Sequence, residues 1–155
     1  MMKAPPGAGH TTTAAFEARA RLPSNGIHPG SDIDSISYVD GTLAVLLACS
    51  GKQDDIGGMR INFPGVDGFR LLDEPNLVRY ARSPGFPRGS HLLEVLAAGW
   101  GAEENALQGF ECARREWLVV TGNACLSVFC LAEPELAEET WKFETNTEIP
   151  IKSYA

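Results

Sequence analysis

The chain has 155 residues, of which 44% are hydrophobic and 21% are charged, and this is the size and composition of one ordinary globular domain. Its longest apolar run, Leu43–Cys49, is far shorter than the ~20 residues of a membrane-spanning helix, and no repeat or heptad pattern occurs. The formal net charge is −7, which argues against nucleic acid as a partner because phosphates are bound mainly by lysine and arginine.

Residues 1–30 differ in character from the rest of the chain. Paired prolines, consecutive threonines and several alanines with little hydrophobic periodicity predict a partly ordered N-terminal arm. Within this arm, the alanines between Thr13 and Leu22 favour a short helix that Thr13 would cap. We expect residues 31–155 to form a single β-rich domain.

A tight hairpin is the clearest feature of residues 33–49. Asp40 and Gly41 separate two apolar runs, and a type I′ turn needs positive φ at both central residues, which Asp-Gly supplies at low cost. The second run, residues 42–49, is apolar on both alternating faces, so we expect a central strand that is covered on both sides. The polar residues 52–58 are interpreted as a loop.

Two more strands and a short helix are predicted before residue 90. Apolar and polar side chains alternate in Met59–Phe63, which indicates a half-buried strand that ends at Pro64. Phe69–Leu72 forms the next strand. An acidic pair followed by Pro75 is then typical of a helix start.

The second half of the chain adds further strands. Residues 91–98 suit either a helical face or a strand, and the flanking glycines and short length favour the strand. Residues 110–113 and 116–121 are interpreted as a hairpin, and residues 124–131 as a buried strand. After an acidic segment, a final edge strand is indicated by three alternating residues: Trp141, Phe143 and Thr145.

These elements predict a mainly β fold, β-rich α+β in class, with one or two short helices. Short turns between neighbouring strands imply antiparallel pairing. The strands would then close as a small, strongly bent barrel or stack as a sandwich.

The cysteines and histidines form no recognisable zinc or catalytic motif. The cysteines lie in or beside apolar runs, with no Cys-x-x-Cys pair and no secretory segment before them, so we expect buried thiols in a cytoplasmic protein: Cys49, Cys112, Cys125 and Cys130. Their even number would also permit two disulfides in a secreted protein. His91 is the one histidine outside the arm, and nothing in the sequence marks Cys112 or Cys125 as its activated partner.

Other chemical motifs fail on inspection. The stretch Asp32-Ile33-Asp34 begins like a calcium loop, but Ser37 stands at the glycine position and Leu43 at the glutamate position. Asp54 and Asp55 could hold a cation only weakly, and no phosphate-binding loop or nucleophile elbow occurs. We therefore expect no cofactor, no metal and no enzymatic activity.

Large aromatic side chains are the best candidates for partner contacts, because rings supply contact area at a low entropic cost. Trp100 lies between two glycines, and Phe86 is presented by a loop with prolines on both sides. Trp141 and Phe143 belong to the final edge strand. The charge distribution offers a second way to bind. Residues 133–148 contain six glutamates, which are either solvated or dock on a basic patch, head-to-tail on another copy or on a partner.

Residues 33–134 resemble uncharacterised small β-rich bacterial proteins. More faintly, residues 35–43, a strand that runs into the Asp40-Gly41 turn, are similar to the first hairpin of Sm-like barrels. The Asp-x-x-Asn pattern with which Sm-like proteins contact nucleotides is missing. Of the family's Arg-Gly motif, only Arg88-Gly89 is similar. The resemblance implies a strongly bent sheet with a short N-terminal helix and association through strand edges, but it does not carry over RNA binding.

We therefore expect a non-catalytic binding or protein-interaction module that self-associates through strand edges and aromatic anchors. One alternative is an Sm-like oligonucleotide-binding protein, which would retain short RNA at low salt. Another is a small acidic immunity or inhibitor protein, whose negative face would dock on a basic enzyme. Neither a membrane nor nucleic acid is expected as a partner.

Overall fold

Nine strands and two short helices are present in the part of the chain that the computed structural model describes, residues 13–22, 31–52 and 55–142. In chain order they are β1 (Glu17–Ala20), β2 (Asp32–Val39), β3 (Thr42–Lys52), β4 (Asp55–Phe63), β5 (Val66–Asp73), α1 (Glu74–Ala81), β6 (Leu92–Ala97), α2 (Trp100–Gln108), β7 (Glu116–Val120), β8 (Ala124–Cys130) and β9 (Glu135–Lys142). Neither helix could cross a membrane, and no other helix occurs in these ranges.

The strands form two antiparallel sheets with a hydrophobic core between them. One sheet has four strands in the order β2-β3-β4-β9, and the other has five in the order β1-β6-β7-β8-β5. Leu47 and Phe63 of the first sheet meet Trp117 and Val128 of the second in this core, where all four are fully buried. The prediction of a β-rich α+β fold is therefore confirmed as a sandwich, and the described strands do not close into a barrel.

The five-stranded sheet is covered on its second face as well. There α1 and the loop around Phe86 bury a second apolar cluster that includes Phe16, Tyr80 and Leu118. As a result, every residue of β7 and β8 is buried, which confirms the predicted burial of the run 124–131 except at Leu131, which is exposed. Unbroken apolar runs are typical of strands covered on both faces.

Several local predictions are confirmed. Asp40 and Gly41 have φ of 49° and 80°, as a type I′ turn requires. Residues 92–97 form strand β6 and not a helix, the predicted strands 59–63 and 69–72 lie within β4 and β5, and α1 begins at the acidic pair as expected. Strand β3 is central in its sheet, but within residues 42–49 only Leu43, Val45 and Leu47 are fully buried, so the prediction that this run is covered on both sides is wrong.

The predicted helix between Thr13 and Leu22, which the Sm-like resemblance also implies, is wrong. Residues 17–20 form strand β1, which pairs with the edge of β6, while Phe16 stacks on Tyr80 with ring centroids 4.8 Å apart. Pairing with a free sheet edge and burial of one aromatic ring thus outweigh the small helix propensity of the alanines.

Two other segments differ from the prediction. Residues 52–58 were interpreted as a loop, but β3 extends to Lys52 and β4 begins at Asp55, so Gly57 and Gly58 lie inside a strand. Residues 111–115 are irregular, so the first strand of the 110–121 hairpin is wrong, and helix α2 was missed. Helix α2 buries none of its residues fully, so it lacks the apolar periodicity by which a helix is recognised.

Candidate functional site

The predicted contact residues do not meet on one surface. Phe86 is only 9% exposed and packs against Phe16, so its assignment as an exposed anchor is wrong. Trp141 is half-buried on β9, and its indole lies over Gly58, where a Cβ would come within 2.6 Å of Cη2. Phe143 lies outside the described residues.

Trp100 is held within the molecule and is not presented freely by its flanking glycines. Its ring stacks on Phe129 at a centroid distance of 4.0 Å, and the Arg70 guanidinium lies 5.0 Å from its centroid. The indole N–H donates to Glu104 at 2.8 Å. The ring of Trp100, which the sequence suggested as a partner contact, thus attaches α2 to the five-stranded sheet.

A polar network connects α1, α2 and β5 beside this ring pair. Arg70 donates to Glu103 at 2.9 Å and to the hydroxyl of Tyr80 at 2.7 Å, and Tyr80 donates to the other oxygen of Glu103 at 2.8 Å. Arg79 lies 3.6 Å from the same carboxylate. The arginine, the tyrosine and the carboxylate therefore form a closed triangle of hydrogen bonds, while Nε of Arg70 is buried without a partner in the described part of the chain.

The ionisation of this network does not suit acid–base chemistry near neutral pH. Burial and the hydrogen bond to Glu103 raise the pKa of Tyr80 above its ordinary value. Burial opposes ionisation of Glu103, but hydrogen bonds from Tyr80 and Arg70 outweigh it and lower the pKa of that carboxyl. A general base works best with a pKa near the operating pH, so we assign this network a structural role.

The thiols and His91 do not form a reactive pair either. Cys125 and Cys130 are buried, and burial raises the pKa of Cys125 to about 11. Cys112 is exposed and Cys49 is only partly buried, so the expectation that all four thiols are buried is wrong for these two. His91 bonds the backbone carbonyl of Val120 at 2.7 Å, and in the described residues no three His, Cys, Asp or Glu side chains are placed to share a metal ion.

The acidic C-terminal segment meets basic residues of its own chain. Arg60 of β4 pairs with Glu139 of β9 at 2.7 Å, and Arg21 and Arg115 both pair with Glu133. Part of the charge asymmetry seen in the sequence is thus resolved within the fold, where it fastens β9 to its neighbours.

A surface with several exposed apolar side chains lies where two edge strands run side by side. Strands β2 and β5 are the outermost strands of their sheets. The N–H of Val66 donates to the carbonyl of Gly41 at 2.8 Å, and the rings of Tyr38 and Phe69 are 5.8 Å apart, so β2 follows β5 along one side of the sandwich. We call this side, residues 32–41 and 66–73, the β2–β5 seam.

Four large apolar side chains of the seam reach solvent, among them Val39, which is 63% exposed. Tyr38 and Leu71 are each 53% exposed and Phe69 is 40% exposed. Strand alternation explains why, since Arg70 and Leu72 face the helices while Phe69 and Leu71 face the open margin of the sandwich. Sequence reasoning predicted the strand Phe69–Leu72 but missed this surface, because the sequence does not tell which strands form the edges.

Comparison of the chain with protein-family models, with curated proteins and with solved structures finds no match.

Proposed function

We propose that this chain is a non-catalytic protein-interaction module that binds its partner along the β2–β5 seam. The observation that carries the proposal is the exposure of Tyr38, Phe69 and Leu71 between two edge strands. Contiguous exposed apolar side chains mark interaction surfaces, and an unpaired strand edge can accept an additional strand from a partner.

The polar clusters of the molecule support a binding role over a catalytic one. Arg70, Tyr80 and Glu103 hydrogen-bond to one another, with only Nε of Arg70 left without a partner among them, and Glu94 accepts from Arg19, Arg21 and Arg115. Such clusters hold strands and helices in place and leave few polar groups free to act on a substrate. Oligonucleotide binding receives no support from the seam, whose one arginine is Arg70.

Self-association stays a prediction. The free edges of the described sheets carry carboxylates, among them Asp34 on β2 and Glu135 and Glu138 on β9. Edge-to-edge pairing of two copies would bring these like charges together, which is unfavourable. We therefore place a different protein, and not a second copy, in the seam.

The proposal extends to the compartment. The four cysteines are free thiols, the state that the reducing cytoplasm maintains. We propose that the protein acts in the cytoplasm.

Site-specific photo-crosslinking in the producing cells tests the proposed function. A photoreactive benzoylphenylalanine replaces Phe69 in the seam or, as a matched control, the exposed Phe110 in the loop after α2. We expect a product of one defined mass from position 69 and none of that mass from position 110. The same product should be lost when Leu71→Ser is added and retained when Leu107→Ser is added.

Two results would count against the interaction surface. One is the absence of any defined product at position 69. The other is the same product from both positions, because that would report general adhesion and not a site.

A further inference from the structure

The carboxylates of the β2–β5 seam gather at its two ends. At one end, the N–H of Val66 donates to the carbonyl of Gly41, so the residues next to this contact, Asp67 of β5 and Asp40 of the hairpin turn, lie at the same end of the seam. At the other end, Gly122 donates to the carbonyl of Ser31 and Glu74 donates to that of Asn123, so Asp32 at the start of β2 and Asp73 at the end of β5 lie at the same end of the seam. An apolar centre thus lies between two acidic ends.

The seam's own residues, all of which the structure describes, include no free cation to balance these charges. Residues 31–41 contain no lysine or arginine, and residues 66–74 contain only Arg70. Arg70 points to the other face of β5, where Glu103 and Tyr80 engage it. None of the seam aspartates forms an ion pair within the described residues.

This charge pattern selects the kind of partner. A two-fold contact between copies uses the same patch twice, so acidic ends would repel acidic ends across such a contact. A cationic surface is attracted instead, and complementary charge raises both the encounter rate and the specificity of binding.

We infer that the seam binds an extended, cationic segment of a partner protein, an inference that rests on the proposed function. Lysine or arginine side chains of the segment pair with Asp40 and Asp67, while an apolar side chain packs on Phe69 and Leu71. The segment lies along β5 in the manner of an added strand, because β5 is an edge strand of eight residues.

Two short peptides test the inference on the purified full-length chain. The probe is an end-blocked octapeptide in which lysine alternates with valine, and its counterpart carries glutamate in place of lysine. We expect the lysine peptide to shift the NMR amide signals of residues 38–40 and 67–71 saturably, and to bind more weakly when salt is raised from about 50 to about 500 mM. The glutamate peptide should leave these signals unchanged.

Charge-neutral variants locate the interaction. The pair Asp40→Asn and Asp67→Asn keeps the turn, since Asn also adopts positive φ, and should weaken lysine-peptide binding by about fivefold or more. The control pair Glu135→Gln and Glu138→Gln removes the same charge from β9 and should change the affinity less than about twofold. Equal weakening by both pairs, or none by the first, would overturn the inference.

Failure of this inference is distinguishable from failure of the proposed function. If position 69 crosslinks a defined partner but the seam binds the two peptides equally or neither of them, the cationic segment is wrong and the interaction surface stands. If position 69 yields no defined crosslink, the proposed function itself is wrong.

Discussion

The carboxylate of Glu116 accepts a hydrogen bond from the backbone N–H of Trp100 at 2.8 Å and so holds the first turn of α2 against the five-stranded sheet. Its second oxygen accepts the N–H of Gly101 at the same distance. The N-cap Gly99 has no side chain to make this bond, so a residue of β7 supplies the negative charge that a helix N-terminus attracts. Burial nevertheless raises the pKa of Glu116 above its ordinary value.

Adjacent substitutions before α2 should have opposite effects on stability. A Cβ on Gly99 would lie 2.5 Å from Oε1 of Glu116, so Gly99→Ala should displace the helix and lower the free energy of unfolding by about 1–3 kcal/mol. Ala98 has φ of 54°, so Ala98→Gly should relieve backbone strain and raise the free energy of unfolding by up to about 1 kcal/mol. Urea titration measures both changes, and loss of stability in both variants would contradict this description of the turn.

Glu94 should contribute stability in a pH-dependent way. It is buried and bonded to Arg19 at 2.6 Å, and although burial opposes ionisation, its arginine partners lower its pKa. Because the folded-state pKa is lowered, this stability is present above the ordinary carboxyl pKa and is lost as the pH falls through the folded value. Glu94→Gln should therefore cost about 2–3 kcal/mol at about pH 7 and progressively less below about pH 4.

Urea unfolding of the wild type and the variant at both pH values measures this difference. The exposed Glu138→Gln variant is the control and should differ from the wild type by less than about 0.5 kcal/mol. A cost for Glu94→Gln that does not shrink in acid would show that the loss comes from packing and not from charge.

The thiols should react in a fixed order with a water-soluble disulfide reagent. Cys112 is exposed and should react first in the native state, the partly buried Cys49 should react more slowly, and the buried Cys125 and Cys130 should react only on unfolding. Cys112→Ser should remove the fast phase and leave the rest of the time course unchanged. A fast phase that persists in this variant would mean that another thiol is accessible.

Two leucine-to-alanine substitutions should separate the seam from the core. Leu71 is half exposed, so Leu71→Ala should cost less than about 1 kcal/mol of stability. Leu118 of β7 is fully buried in the apolar cluster beneath α1, and Leu118→Ala should lower the free energy of unfolding by about 2–5 kcal/mol. Thermal or urea unfolding measures both, and similar costs would mean that Leu71 is part of the core.

Local signals predicted the parts of the fold that local chemistry controls. The Asp40-Gly41 turn, the strand Met59–Phe63 and the acidic start of α1 each carry their own turn, alternation or capping pattern. What the sequence could not supply was long-range pairing. The strand at residues 17–20 exists because β6 offers an edge, and α2 begins where Glu116 supplies charge from a distant strand.

The candidate site was harder to predict for the same reason. Aromatic character selected Trp100 and Phe86, but burial of an aromatic ring depends on what covers it, and both rings pack against the five-stranded sheet or the loops on it. Tyr38 and Phe69 are exposed because each lies on an edge strand. Edge position follows from strand order, which no local pattern in the sequence reveals.

The dissociation constant of the partner captured at position 69 is the most direct measure of the central claim, that the β2–β5 seam is the binding surface. Once that partner is purified, we expect Phe69→Ala to weaken binding by about 30-fold, the effect of losing one central anchor, while Phe110→Ala changes it by less than about twofold. Equal effects of the two substitutions, or undiminished binding by Phe69→Ala, would contradict it.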